Sequence, residues 1–259
     1  MRTFILCLIY VFIITSISQA QDKSLFQKKW LIQGKDTLPY RILLPEDFDA
    51  AISYPFILFL HGAGERGNDN EAQLTHGANL FLQDSIRKSF PAIIVFPQCP
   101  ANSYWSNVKF ENKDGKRIFS FQKKGDPTIA MKMVMDLIGE LKKDYKLDND
   151  RYYVGGLSMG GMGTFELVRR KPKMFAAALP ICGGGNTETA RKLKRPSWWI
   201  FHGLKDDVVP PELSQAMAAA LKQKGADVQL TLYPEANHNS WDAAFSEKNL
   251  MPWLFSHHK

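Results

Sequence analysis

Five residues in the middle of the chain, Gly156-Leu157-Ser158-Met159-Gly160, have the types and spacing of a nucleophile's turn. They follow the apolar run Tyr152 to Val154, which reads as a strand, and they lead into Met159 to Arg170, which reads as a helix stopped at Lys171-Pro172. A G-x-S-x-G turn between strand and helix pushes the serine hydroxyl out above a sheet, and side chains in place of the glycines would strike neighbouring backbone. A serine hydroxyl is a weak nucleophile until a base takes its proton, so an imidazole and an orienting carboxylate must be carried to Ser158 from elsewhere.

Three other segments that follow expected strands supply the missing groups. His238 lies in Pro234-Glu235-Ala236-Asn237-His238-Asn239-Ser240-Trp241 and is the candidate base. His257 and His258 belong to the C-terminal tail and His76 to a helical stretch. His61 and His202 each precede a glycine at a strand end, which suits a histidine that bonds backbone in a turn. The segment His202-Gly203-Leu204-Lys205-Asp206-Asp207-Val208-Val209-Pro210 puts Asp206 in the acid position, with Asp207 as its competitor; Asp242 follows the histidine too closely. An oxyanion needs two backbone N–H groups. Met159, after the serine, supplies one; the turn His61-Gly62-Ala63-Gly64-Glu65-Arg66-Gly67 supplies the other, through Ala63 or else Gly64. Trp105 and Trp241 are candidate pocket walls, with core packing as the other reading. Glu65 and Arg66 either contact substrate or brace the turn as an ion pair. The cluster Asn68-Asp69-Asn70-Glu71 lacks the spacing of a calcium loop and suits helix capping. This chemistry calls for neither metal nor cofactor.

The elements that position these groups read as eight strands alternating with helices. Trp30 to Ile32 and Tyr40 to Leu44 form a hairpin through Gly34-Lys35-Asp36. Tyr54 to Leu60 and Ala92 to Phe96 are continuously apolar, as strands buried on both faces are. Between them, Leu74, Ala78, Leu82 and Ile86 predict one helix over 71–88. Residues 102–125 show no clear period and read as a long loop. Asp126 as N-cap and Pro127 as first helical residue predict a helix to about Tyr145. After the serine turn come a strand over 175–181, a short helix over 186–193 capped by Asn186, a strand over 198–201, a helix over 211–224 closed by Gly225, a strand over 228–233 and a largely helical stretch over 241–255. Alternation of this kind makes a mostly parallel eight-stranded sheet with helices on both faces, and it places the active groups beyond the carboxyl ends of strands.

The 259 residues carry 45% hydrophobic and 23% charged side chains, which is ordinary globular composition, with no repeat and no linker. The formal charge of +7 is scattered along the chain without the basic stripe that nucleic acid requires, and no nucleic-acid partner is expected. Residues 1–20 differ. Arg2, the apolar run Phe4 to Ile14 and Ser18-Gln19-Ala20 have the makeup of a signal peptide cut after Ala20, and the run falls short of the ~20 residues of a membrane span. The expectation is an exported protein, periplasmic or extracellular, with one catalytic domain over 21–259. Cys7 leaves with the leader. Cys99 and Cys182 follow strands that are not neighbours in the expected sheet and read as two reduced, buried thiols.

The stretches Leu60 to Gly67, Phe96-Pro97-Gln98-Cys99-Pro100, Gly156 to Gly161, Ile181 to Gly185, His202 to Pro210 and His238 to Trp241 are spread over almost the whole chain in a fixed order. The chain resembles secreted α/β-hydrolases of the carboxylesterase/phospholipase-like group, related to feruloyl and acetylxylan esterases and to polyhydroxybutyrate-depolymerase-like esterases. The resemblance implies the α/β-hydrolase fold and hydrolysis of a carboxylic ester, an acetyl or feruloyl ester of plant cell-wall polysaccharide being the substrate class it points to. A peptidase of the same fold and a binding protein that kept the fold without the reaction are the alternatives.

Overall fold

The computed structural model describes residues 22–114 and 116–259; the leader expected over residues 1–20 lies outside them. Among the described residues ten strands follow one another: β1 Gln27–Gln33, β2 Asp36–Leu43, β3 Tyr54–Leu60, β4 Ile93–Pro97, β5 Val108–Lys113, β6 Lys116–Phe121, β7 Leu147–Leu157, β8 Ala177–Ile181, β9 Ser197–Gly203 and β10 Val228–Tyr233. Eight of them form one sheet in the order β1-β2-β4-β3-β7-β8-β9-β10. The hairpin β1–β2 runs antiparallel at one edge, β2 is antiparallel to β4, and every later pairing is parallel.

Side chains of β3 explain why its whole run is apolar. Phe56, Leu58 and Leu60 enter one core layer while Ile57 and Phe59 enter the other, as the two-residue period of a strand requires. The first layer packs under helices α3 Ile129–Asp144, α4 Met159–Arg170 and α5 Glu212–Gln223. The second packs under the short helices α1 Ala78–Phe81 and α2 Asp84–Ser89 and the closing pair α6 Trp241–Phe245 and α7 Leu250–Ser256. The expected mostly parallel sheet covered on both faces is the observed one. Among the described residues no helix is long and apolar enough to cross a membrane.

Three local expectations are corrected. The single helix over 71–88 is broken into a 3-10 turn, Ala72–Leu74, followed by α1 and α2. Gly77 takes the left-handed region, φ +84°, and Gln83 is extended, so two breaks interrupt a run whose apolar spacing nevertheless buries Leu74, Ala78 and Leu82. His76 therefore lies on a bend and not in a helix. The loop over 102–125 contains the hairpin β5–β6, in which Val108, Phe110, Phe119 and Phe121 pair across one face. The start of α3 is capped not by Asp126 but by Thr128, whose Oγ1 accepts from Met131 N (3.1 Å), so that Pro127 stands ahead of the helix instead of at its first position. The closing stretch over 241–255 is largely helical, as expected, in two pieces, α6 and α7.

Strand β7 and helix α4 pack so tightly behind the serine turn that little but glycine fits. A Cβ on Gly160 would lie 1.8 Å from Leu60 O, and one on Gly156 would lie 2.5 Å from Gly160 O. These obstacles are backbone atoms, which no rotamer change relieves. Gly160→Ala is expected to cost about 3 kcal/mol, the top of the overpacking range, read as a fall in the urea midpoint with an unchanged slope.

Candidate active site

Ser158 has φ +53° and ψ −115°, a conformation non-glycine residues seldom hold. It is fixed from both sides: Ser158 N donates to Ile181 O (2.9 Å), and Ser158 O accepts from Met162 N (3.0 Å). The hydroxyl faces a cavity of about 280 Å³ whose walls include Gly62, Ala63, Gly64, Tyr104, Phe119, Met162, Val209, His238 and Trp241.

His238 and Asp206 arrive on the loops after β10 and β9. Two backbone bonds lash these loops together, Leu204 N to Tyr233 O (2.9 Å) and Lys205 N to Ala236 O (3.0 Å). His238 Nε2 lies 3.0 Å from Ser158 Oγ, and His238 Nδ1 lies 2.8 Å from Asp206 Oδ2. Since the carboxylate only accepts, Nδ1 carries a proton and Nε2 is left to accept from the serine. Asp206 Oδ1 takes the N–H groups of Val208 and Val209, both at 2.9 Å. Burial by itself raises the Asp206 carboxyl, but the hydrogen bonds from His202, His238 and Val209 N outweigh it and hold the group well below the usual carboxylate range. Asp207 is exposed, and its N–H bonds Asn237 Oδ1 (3.3 Å). The structure thus joins Asp206, not Asp207, to His238.

Ala63 begins a 3-10 turn, Ala63–Glu65, and Met159 is the first residue of α4. N–H groups at the first position of a helix have no partner within it and carry the positive end of its dipole, which is what a developing oxyanion requires. Trp241 lines the cavity and stands edge-on to His238, ring centroids 5.4 Å apart. Trp105 does not line it. Fully buried, it donates from Nε1 to His61 O (3.0 Å) and packs under the first core layer, so the pocket role considered for it is replaced by the structural one. Neither does Arg66 pair with Glu65: its guanidinium bonds the carbonyls of Ala63 (3.0 Å) and Ala101 (3.2 Å) and lies over Tyr104, while Glu65 faces His76 across the cavity (3.8 Å). Asp69 Oδ1 accepts from Glu71 N and Ala72 N, capping the 3-10 turn that follows.

His61 does shape its turn, as its place before a glycine suggests. Nδ1 donates to Gly62 O (2.6 Å) and Nε2 accepts from Cys99 N (2.9 Å), which binds the turn after β3 to the segment just beyond β4. Burial is the main reason its ring is pushed down to about 4. A folded-state value below the unfolded ~6.5 means that the unfolded chain binds the extra proton between those two values. The neutral ring therefore contributes stability fully above pH 6.5 and loses it as pH falls toward 4, a change on the order of 3 kcal/mol. A His61→Gln variant is expected to flatten urea midpoints across pH 4–6.5, whereas the depressed Asp206 acts only in the more acid range.

Sequence reasoning missed His76, Val208, Val209 and the hairpin residues Arg117 and Phe119, all of which line the cavity, as does Glu65, which was weighed as a substrate contact. Lys113-Asp114-Gly115-Lys116 held a signal for the hairpin, since Asp-Gly between alternating residues is a strong hairpin cue, and Asp114 indeed has φ +51°. Cys182 Sγ comes within 4.8 Å of ligand atoms of Asp206 and His238, a metal-like trio. Both oxygens of Asp206 are already engaged by N–H donors and burial pushes the Cys182 thiol up, so this trio suits a protonated thiol better than a metal thiolate. Cys99 is also free and buried, its thiol pushed up to about 12 by burial.

A bifunctional acetylxylan esterase/xylanase of Neocallimastix patriciarum is 39% identical over 77 residues, which is 29% of this chain and 11% of that protein. A probable feruloyl esterase C of Aspergillus niger is 22% identical over 249 residues, covering 92% and 82%. The crystal structure of a thermostable esterase superposes with a TM-score of 0.82 at 32% identity, covering 91% of this chain and 64% of the other. The chain thus spans less than two thirds of the length of the first and the last of these. The sequence profile of the dienelactone hydrolase family matches residues 90–248, from the threshold of β4 past His238, and with the eight-stranded sheet in place the chain belongs to that family and has the α/β-hydrolase fold.

Proposed function

We propose that the protein is an exported serine hydrolase of carboxylic esters that works through Ser158, His238 and Asp206 without metal or cofactor. The observation that carries the reading is the unbroken hydrogen-bond chain Ser158 Oγ–His238 Nε2–His238 Nδ1–Asp206 Oδ2 at the wall of an open cavity. In the reaction His238 takes the serine proton as Oγ attacks the ester carbonyl, and the N–H groups of Met159 and Ala63 bind the oxyanion. His238 then protonates the departing alcohol, leaving an acyl group on Ser158. A water molecule, deprotonated by His238, releases the acid and restores the serine.

For the substrate, acetyl or feruloyl esters on plant cell-wall polysaccharide are the favoured class. Support comes from the acetylxylan and feruloyl esterases among its relatives and from the aromatic walls Tyr104, Phe119 and Trp241. Export rests on the makeup of residues 1–20. A fluorophosphonate probe is expected to label the protein on Ser158, and a panel of p-nitrophenyl acetate, methyl ferulate and peptide amides is expected to show turnover of the esters. Turnover of peptides alone would favour a peptidase. A folded protein that takes neither label nor substrate would favour a binding protein that kept the fold.

A further inference from the structure

Asp206 serves two histidines. Besides His238, the fully buried His202 brings Nε2 to 3.1 Å from the same oxygen, Oδ2, and to 2.9 Å from Val209 O. Both neighbours of Nε2 only accept, so Nε2 carries a proton and donates. The far side of the ring is anchored as well: with the ring proton on Nε2, Nδ1 accepts from the Ser214 hydroxyl on α5 (2.7 Å), and Gly183 O, just beyond β8, lies 2.9 Å from the same Oγ. Neither His202 nor Ser214 touches the cavity, and neither has a place in the reaction as written above.

We propose that His202 is a positioning residue whose Nε2–H fixes Oδ2 of Asp206 and divides that oxygen's negative charge between two imidazoles. The proposal rests on the reading of His238 as the base. An oxygen that already accepts one N–H attracts a second less strongly, so His202 loosens the hold of Asp206 on an imidazolium at His238. Other titrating groups face this pair: Cys182 beside Asp206, and Glu65, His76 and Arg117 across the cavity from His238. Among the described residues His202 alone bonds the oxygen that His238 uses.

The test is the pH profile of kcat/KM on p-nitrophenyl acetate, with rates expressed per active site titrated by the fluorophosphonate. His202→Leu is expected to lower kcat about tenfold, the worth of a hydrogen bond to a charged group, with KM little changed. Its acid limb is expected to move upward by about half a pH unit. His202→Gln, which keeps a donor within reach, is expected to restore most of the shift. Ser214→Ala, which frees the ring's far side, is expected to move the limb in the same direction by less, and it decides the matter if His202→Leu does not fold. A limb that stays in place in the leucine and alanine variants, with wild-type kcat per titrated site, overturns the proposal even where the melting temperature falls. Failure of the wild type to take the phosphonate at all would instead overturn the reading of the site.

Discussion

Replacing Ser158 by alanine is expected to lower kcat on p-nitrophenyl acetate by about a million-fold and to abolish labelling by a fluorophosphonate. The loss is large because the nucleophile, base and acid act as one unit: without Oγ, the proton acceptor at His238 Nε2, 3.0 Å away, has nothing to activate. For the same reason His238→Ala added to Ser158→Ala is expected to cost little more. Rate above the uncatalysed reaction that survives in the single variant would come from the N–H groups of Ala63 and Met159 acting on a bound ester, with water as attacker. The fold is expected to be indifferent. Both bonds that hold the turn, to Ile181 O and from Met162 N, are made by backbone atoms of residue 158, so the urea unfolding curve should overlay that of the wild type. A variant that keeps esterase activity within tenfold would remove Ser158 from the reaction.

Asp206→Asn carries the second largest expected loss, about ten-thousand-fold in kcat. An amide at this position can face His238 with its oxygen or with its NH2 group. In the first orientation it lacks the charge that stabilises an imidazolium. In the second it favours the tautomer with a bare Nδ1, which leaves Nε2 protonated and unable to take the serine proton. The position is demanding from the other side as well, since Val208 N, Val209 N and His202 Nε2 all donate to the same carboxylate. Asp207→Asn is the control: its carboxylate is exposed and outside this network, and kcat is expected to stay within about twofold of wild type, as for surface substitutions generally. Equal losses in the two variants would mean that the acid had been misassigned.

Much of the site could be read from the chain because its groups follow strands. Tyr54 to Leu60 announces itself by an apolar run and Val228 to Tyr233 by alternation, and whatever comes next in sequence falls at the rim where the strands end. Ser158 and His238 needed only that rule. Asp206 needed a finer one, because two adjacent aspartates cannot be separated by strand geometry; the choice is made in space by Val208 N and Val209 N, which turn Asp206 inward. The break at Gly77 was hidden because the apolar positions on either side of it keep a helical spacing even though the backbone does not. Trp105 stays undecided between pocket wall and core in the sequence for a related cause: its segment has no period, and burial of an isolated aromatic depends on what covers it, here His61 and Gly163. His202 was seen, but only its own turn was in view, since its partner Ser214 lies a helix away.

The hairpin β5–β6 pairs with itself and with no strand of the large sheet. It is joined to the body by side-chain contacts and single bonds such as Asn186 Nδ2 to Phe121 O (2.9 Å), while its inward face lends Arg117 and Phe119 to the cavity. Such a ribbon can be shortened, lengthened or exchanged as one continuous cassette without unzipping the ladder that carries the reactive groups. In a lineage of enzymes this is where new substrates would be acquired first, and in the laboratory it is the segment to randomise when the catalytic machinery is to be kept and its diet changed.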